Sequence, residues 1–299
     1  MNLNQKKNKI EKDIDNELKL FKDNIVHSVA MTGIIESIIP TSNNIEISSV
    51  QSDLCLIEDI DTMVNLEVRN DIDDLVDDLA DNLRIMGVSN DYNYPLADII
   101  IASIATNTSL IVNDSADELS DAISYVIDGK PSSKLYFPSN YNNLNQLIDR
   151  INSINSKVLL IEGVLDSLNI NAYSILTKHC KNKLFIFTVN NSVDIKYIQN
   201  IVSNYSLFIN TSNYLEVPTD NTLYKYKFDY NKIRNEYSAD KLSDVYKVIK
   251  RNFGNDITLS NKSLVTLSKV LSMKNISIDF NNLIIKDYIN SLKDGLMNE

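Results

Sequence analysis

Residues 108–125 read TSLIVNDSADELSDAISY, and the fold turns on them. Ser109–Val112 is a short β-branched and apolar run, which predicts a strand. The polar NDSADELS that follows predicts a turn, and the remainder an amphipathic helix. Upstream, Pro95 opens PLADIIIASIATN, a helix that is apolar nearly all round and is therefore expected to be buried. Downstream, Gly129–Pro131 turns the chain, and strands and helices then alternate. KLYF (134–137), KVLLIEG (157–163) and KLFIFTVN (183–190) read as strands, with SLFIN or YLEV closing the series. LNQLIDRINSI (144–154), LNINAYSILTKHC (168–180) and VDIKYIQNIVSNY (193–205) read as the intervening helices. Continuous apolar strands separated by helices predict an α/β fold, a parallel sheet covered by helices on both faces.

A strand–turn–helix unit of this kind is where a phosphate cradle sits in the pattern G-x-x-x-x-G-K-[ST]. Its glycines let backbone N–H groups turn inward and its Lys meets the phosphates. Laid on that frame from Asn113, the second Gly is Glu118, the Lys is Leu119 and the Ser/Thr is Ser120. Asp114, Asp117 and Glu118 would face an anionic ligand with like charge. Only Ser120 matches. The same residues also fit an ordinary strand–turn–helix with an Asp or Ser N-cap.

The chain has 299 residues and a net charge of −11, unevenly placed. Residues 1–95 hold 8 Lys/Arg against 19 Asp/Glu, and the remainder is balanced at 21 of each. That excess disfavours contact of the N-terminal region with a phosphate backbone and favours a basic partner surface or plain solubility. No apolar run reaches the length of a membrane span, and the N-terminus lacks the apolar core of a signal peptide. Cys55 and Cys180 lie far apart and match no metal spacing, so a cytoplasmic setting with plain thiols is expected. His27 and His179 stand in different regions, which argues against a His-based triad or a multi-His metal site.

Three regions follow. Residues 1–89 form an acidic, mostly helical N-terminal region, 90–220 the α/β core, and 221–299 an all-helical, lid-like subdomain. In the first, Ile10, Ile14, Leu18, Phe21 and Ile25 predict a helix over 3–30, either packed on its domain or used for docking. The stretch 45–68 is ambiguous between strand and helix. Residues 71–87 predict a helix with Ile72, Leu75, Leu79, Leu83 and Met86 as its apolar stripe, aspartates opposite, and Gly87 as its C-terminal cap. The aspartate run lacks the Gly and Glu that a calcium loop needs, so a solvated acidic face is expected. In the last region the aromatic–basic stretch Tyr224–Tyr237 reads as a packed linker, with base stacking as the sharper option. Helical patterns follow at 240–252, 260–272 and 280–293.

Over residues 90–295 this order of parts resembles the AAA+ ATPases, and within them the McrB-like branch of restriction and defence motors. VLLIEG is similar to a Walker B strand, with Glu162 in the Asp place and Gly163 in that of the catalytic Glu. LFIFTVNN is similar to a sensor 1 strand through Thr188 and Asn190. SNKSLVTLSKVL is similar to a sensor 2 helix, with Ser260 matching and Lys262 in the Arg place. No arginine lies between Arg150 and Arg234, where the resemblance calls for a finger. The resemblance thus implies a scaffold whose P-loop Lys, Walker B Glu and trans-acting Arg are gone, each removing a separate part of phosphoryl transfer.

The expectation is a catalytically inactive AAA+-like protein, a scaffold or regulatory subunit in a prokaryotic defence or DNA-processing complex. It would act through protein contacts, as a homo- or hetero-oligomer with AAA+ subunits. Ser120, Glu162, Asn190 and Lys262 would be vestigial cofactor-binding positions, with no catalytic residue, metal or resident cofactor expected. Two alternatives stay open. One is an atypical nucleotide-binding switch or weak ATPase, with Glu162 and Ser120 holding Mg²⁺ beside ATP and Lys134 or Lys157 supplying charge. The other is an unrelated doubly wound α/β enzyme with its crevice near Asn113, Glu162 and Asn190.

Overall fold

The computed structural model describes residues 55–58, 66–138, 141, 144–189, 201–219, 221–235, 242–253 and 261–272. All described residues lie within one compact unit, Gln51–Glu299. The helix expected over 3–30, the one over 280–293 and most of that over 193–205 fall outside the described residues.

The core is a sheet of six strands flanked by helices. In chain order these are β1 (Cys55–Glu58), β3 (Ser109–Val112), β4 (Ser133–Tyr136), β5 (Val158–Glu162), β6 (Leu184–Thr188) and β7 (Ser206–Ile209), while β2 (Val68–Arg69) belongs elsewhere. The sheet order is β1-β4-β5-β6-β3-β7. Leu110, Ile111 and Val112 of β3 face Ile186, Phe187 and Thr188 on one side, and Leu207, Phe208 and Ile209 on the other. All four residues of β3 are buried, as are Val158–Ile161 and Leu184–Phe187. Strands buried at successive positions have both faces covered, as their apolar sequences predict.

Helices α1 (Ile72–Ile85), α2 (Asn93–Thr106), α3 (Ala116–Ile127), α4 (Leu144–Ser153) and α5 (Ile170–His179) surround this sheet. Helix α2 is the pillar, with Leu96, Ile100 and Ile104 fully buried. Asn107 ends it in the left-handed region at φ 52°, a conformation asparagine tolerates, and Thr108 N–H returns to Ser103 C=O at 2.8 Å. The chain therefore drops straight into β3. On α1 the expected stripe faces the core, with Leu75, Leu79 and Leu83 at 0% exposure and Ile72 partly buried. Asp71 caps that helix by accepting from Asp73 N–H at 3.0 Å.

Elements outside 90–220 also meet the core. The described residues of 51–89 lie in the same compact unit as it. Strand β1 adds antiparallel to β4, and α1 packs on α2 and α3, because its apolar stripe needs a partner that the core supplies. The sheet is thus parallel except at this edge. The C-terminal part is also not wholly helical: β8 (Lys227–Phe228) pairs in parallel with β2. Beyond it lie α6 (Tyr230–Asn235), α7 (Leu242–Phe253) and α8 (Asn261–Leu271).

The described part of the aromatic–basic stretch is a strap over α1 and α3. Asn82, fully buried on α1, donates to Ala122 C=O at 3.2 Å and Tyr224 C=O at 3.0 Å, and accepts from Tyr224 N–H at 2.7 Å. Tyr226 N–H donates to Tyr125 C=O, Arg69 stacks on the Tyr226 ring and Lys225 on the Tyr125 ring. These rings and cations are engaged with the protein itself, in keeping with a packed linker.

Candidate functional site at the carboxyl ends of the strands

In an open α/β sheet, ligands bind outside the carboxyl ends of the strands, where successive connections leave in opposite directions. Here that point lies between β3, whose connection runs toward β4, and β6, whose connection runs to β7 on the other side.

The turn after β3 is shorter than the cradle pattern requires. Strand β3 ends at Val112 and α3 begins at Ala116, so Asn113, Asp114 and Ser115 make the whole connection. Positions 116–118, which a phosphate loop would use to wrap its ligand, are already helical. Ser115 sits in the left-handed region at φ 50°, and its N–H donates to Asp114 Oδ1 at 2.8 Å. Asp117 and Glu118 occupy the first helical turn, placing carboxylates where the helix dipole favours negative charge.

The turn is closed from within. Asn113 Nδ2 donates to Asn210 Oδ1 at 2.7 Å and to Ser212 Oγ at 3.2 Å. Asn113 Oδ1 accepts from Thr211 N–H at 3.1 Å, and Thr211 Oγ1 donates to Asp114 C=O. One side chain thus stitches the β3 turn to the 3₁₀ turn Thr211–Asn213 after β7. The sequence reading named Asn113 only as a strand-end polar residue. Its partners lie some hundred positions away, where no local spacing reveals them.

Leu119, in the P-loop Lys place, is a core residue at 0% exposure. Ser120 is equally buried; its hydroxyl is used by Asp117 C=O at 2.9 Å and by Ser132 Oγ at 2.8 Å. Ser132 in turn donates through N–H and Oγ to Asp121 Oδ1. Ser120 therefore faces the loop that enters β4, away from the strand carboxyl ends.

Glu162 does stand at the carboxyl end, closing β5 opposite Tyr136 in register. Burial pushes its carboxyl above the ordinary range; the Tyr136 hydroxyl bond pulls it back, Asp117 raises it, Lys134 lowers it and Asp166 raises it. Lys134 bridges to Asp117 across this group. The lysine proposed to replace the P-loop Lys thus reaches the α3 N-terminus, but it meets a carboxylate there. Tyr136 and Asp166 complete this cluster without any motif signal.

Gly163, in the catalytic Glu place, has φ +80°, and a Cβ there would overlap the Phe137 carbonyl oxygen. Phe137 N–H donates to Glu162 C=O at 2.9 Å, which locks the two strand ends at this distance. Backbone packing excludes any side chain at this position.

Thr188 ends β6 beside Val112, and its Oγ1 is buried with no hydrogen-bond partner among the described residues. Asn190 lies outside the described residues, as do Ser260 and the Lys262 side chain. The helix carrying Lys262 is fixed at the opposite end of the sheet. Ser263 Oγ meets Ser203 Oγ at 2.8 Å, and Ser203 lies before the amino end of β7. A four-residue strand separates that end from the carboxyl ends by about 13 Å. Glu162 and Thr188 share the carboxyl face; Ser120 and the backbone of Lys262 do not.

Among the described residues no group of three or more His, Cys, Asp or Glu is arranged to hold a metal ion. Cys180 is a buried free thiol. No described helix is long and apolar enough to cross a membrane. Compared with known proteins, the chain matches no family model and no curated sequence.

Proposed function

We propose that this chain is an AAA+-like scaffold without nucleotide chemistry, working through protein–protein contacts. The observation that carries the reading is the β3–α3 turn, three residues long and already closed by Asn113. The strand order β4-β5-β6-β3-β7, with the first core strand between the fourth and the fifth, supports an AAA+-like core. Three positions where turnover would need a group are otherwise engaged. Leu119 is in the core, Gly163 lies against a carbonyl, and Lys134 is paired with Asp117. The exposed acids of α1, Asp73, Asp74 and Asp77, preceded by Asp71, offer a surface for a basic partner, in a ring beside active subunits or in a defence or DNA-processing assembly.

Lys134 beside Glu162 is the one observation that favours the second reading, a nucleotide-binding switch or weak ATPase, and its ion pair with Asp117 counts against it. A turnover assay separates the two. The purified chain should release phosphate from Mg-ATP no faster than buffer. Release that follows the chain through purification and is lost in Glu162→Gln would overturn the scaffold reading.

A further inference from the structure

A buried polar network runs beneath the amino ends of β3 and β7. Tyr173 of α5 donates its hydroxyl to Val202 C=O at 2.9 Å and meets Ser206 Oγ, in β7, at 2.7 Å. One residue on from Val202, Ser203 Oγ meets Ser263 Oγ of α8 at 2.8 Å. Ser263 Oγ also donates to Asn204 Oδ1 at 3.2 Å, and Thr266 Oγ1 donates to Asn204 C=O at 2.8 Å. Tyr205 C=O then accepts from Ser109 N–H, the first residue of β3, at 2.9 Å. Ser203, Ser206 and Ser263 are all under 5% exposed. The same helix buries Leu264, Leu267, Val270 and Leu271 and packs on α2 and α7.

Polar groups at this depth are costly when unpaired, so their bonds fix one arrangement of the elements they join. A subdomain that swings over a crevice needs an interface that exchanges partners cheaply, typically a wet, polar one. This interface is buried at Ser203 and Ser263, half-buried at Asn204, polar at three matched points, and set at the end of the sheet away from Glu162.

We propose that α8 is a fixed brace: it locks the C-terminal helices to α2 and to the amino end of β7, and does not open as a hinged lid. The inference rests on the seam alone and stands apart from the scaffold reading. The brace makes α8 and the central strands one cooperative unit, which open together or not at all.

Amide hydrogen exchange on the whole chain tests it, with and without millimolar Mg-ATP. Amides of α8 should exchange within about tenfold of those of β3 and β7, in both conditions. Exchange of α8 about a thousandfold faster than β3 in both conditions would overturn the brace and leave the scaffold reading standing. Fast exchange that slows on adding Mg-ATP would overturn both. In the double variant Ser263→Ala/Thr266→Val, α8 should exchange about 10–100 times faster while β5 and β6 keep their protection. Unchanged protection of α8 in that variant would show that the seam does not hold it. Should the variant lose protection throughout, the unmodified chain's comparison of α8 with β3 still decides.

Discussion

At the scale of single residues, the positions that depart from the nucleotide-binding pattern are not vacancies waiting to be refilled. Leu119 is wholly buried, so a lysine there would place an ammonium in the core. Burial lowers a lysine pKa by about 3–5 units, which at about 1.4 kcal/mol each costs about 4–7 kcal/mol. Gly163 holds a φ that side chains resist and abuts the Phe137 carbonyl. Gly163→Glu should therefore cost about 2 kcal/mol or more. Both Leu119→Lys and Gly163→Glu are expected to lower the denaturation midpoint and to yield no ATP turnover; a stable variant that hydrolyses ATP would refute this. The sequence identifies these substitutions by alignment to the motif frame. It does not reveal that Leu119 is a core residue or that Gly163 is held by a neighbouring strand, because both facts depend on contacts made across the sheet.

At the scale of elements, the packing of α1 on α2 carries a pH dependence. Asp98 on α2 is half-buried, and burial, with Asp73 of α1 adding to it, raises its pKa from 3.8 to about 6. The folded protein thus binds a proton that the unfolded chain has released between those values. The stability it contributes is full below 3.8 and is lost as pH rises through about 6. Asp98→Asn should stabilise the protein at pH 7 by about 1 kcal/mol once solvent screening is allowed for, raising the melting temperature by about 2–4 °C. Near pH 4 the advantage should vanish. Melting curves of the two proteins across this range check it, and a gain independent of pH would refute the assignment. The same helix pair shows what periodicity conveys. The stripe Leu75, Leu79 and Leu83 and the buried α2 are legible from spacing alone. Asn82 is not: it sits in α1 as a polar residue yet is buried, because the Tyr224 backbone from far down the chain bonds to it.

For the whole molecule, the alternation of apolar strands and helices gives the α/β class and the parallel core, from KLYF to SLFIN. What stays hidden is set by long-range pairing. The short strand CLIE joins the far edge antiparallel, β2 and β8 find each other across the chain, and α8 anchors at the amino end of the sheet. None of these follows from local patterns, since each depends on which surfaces the core leaves uncovered. The candidate site is divided in the same way. Glu162 was legible as a strand-end acid, whereas the Asn113 clasp needed the fold to bring Asn210–Ser212 beside it.

On the proposed scaffold reading, the shortened turn, its internal closure and the engaged neighbours among the described residues take the place of a nucleotide bed. Thermal unfolding of the full chain with millimolar Mg-ATP puts this to the test. A ligand at a hundred times its Kd would stabilise the fold by about 2.7 kcal/mol, or about 5–10 °C for a unit of this size. The melting temperature should instead stay within about 1 °C of the nucleotide-free value. A saturable rise of several degrees would mean that a nucleotide binds, and that the turn after β3 opens to receive it.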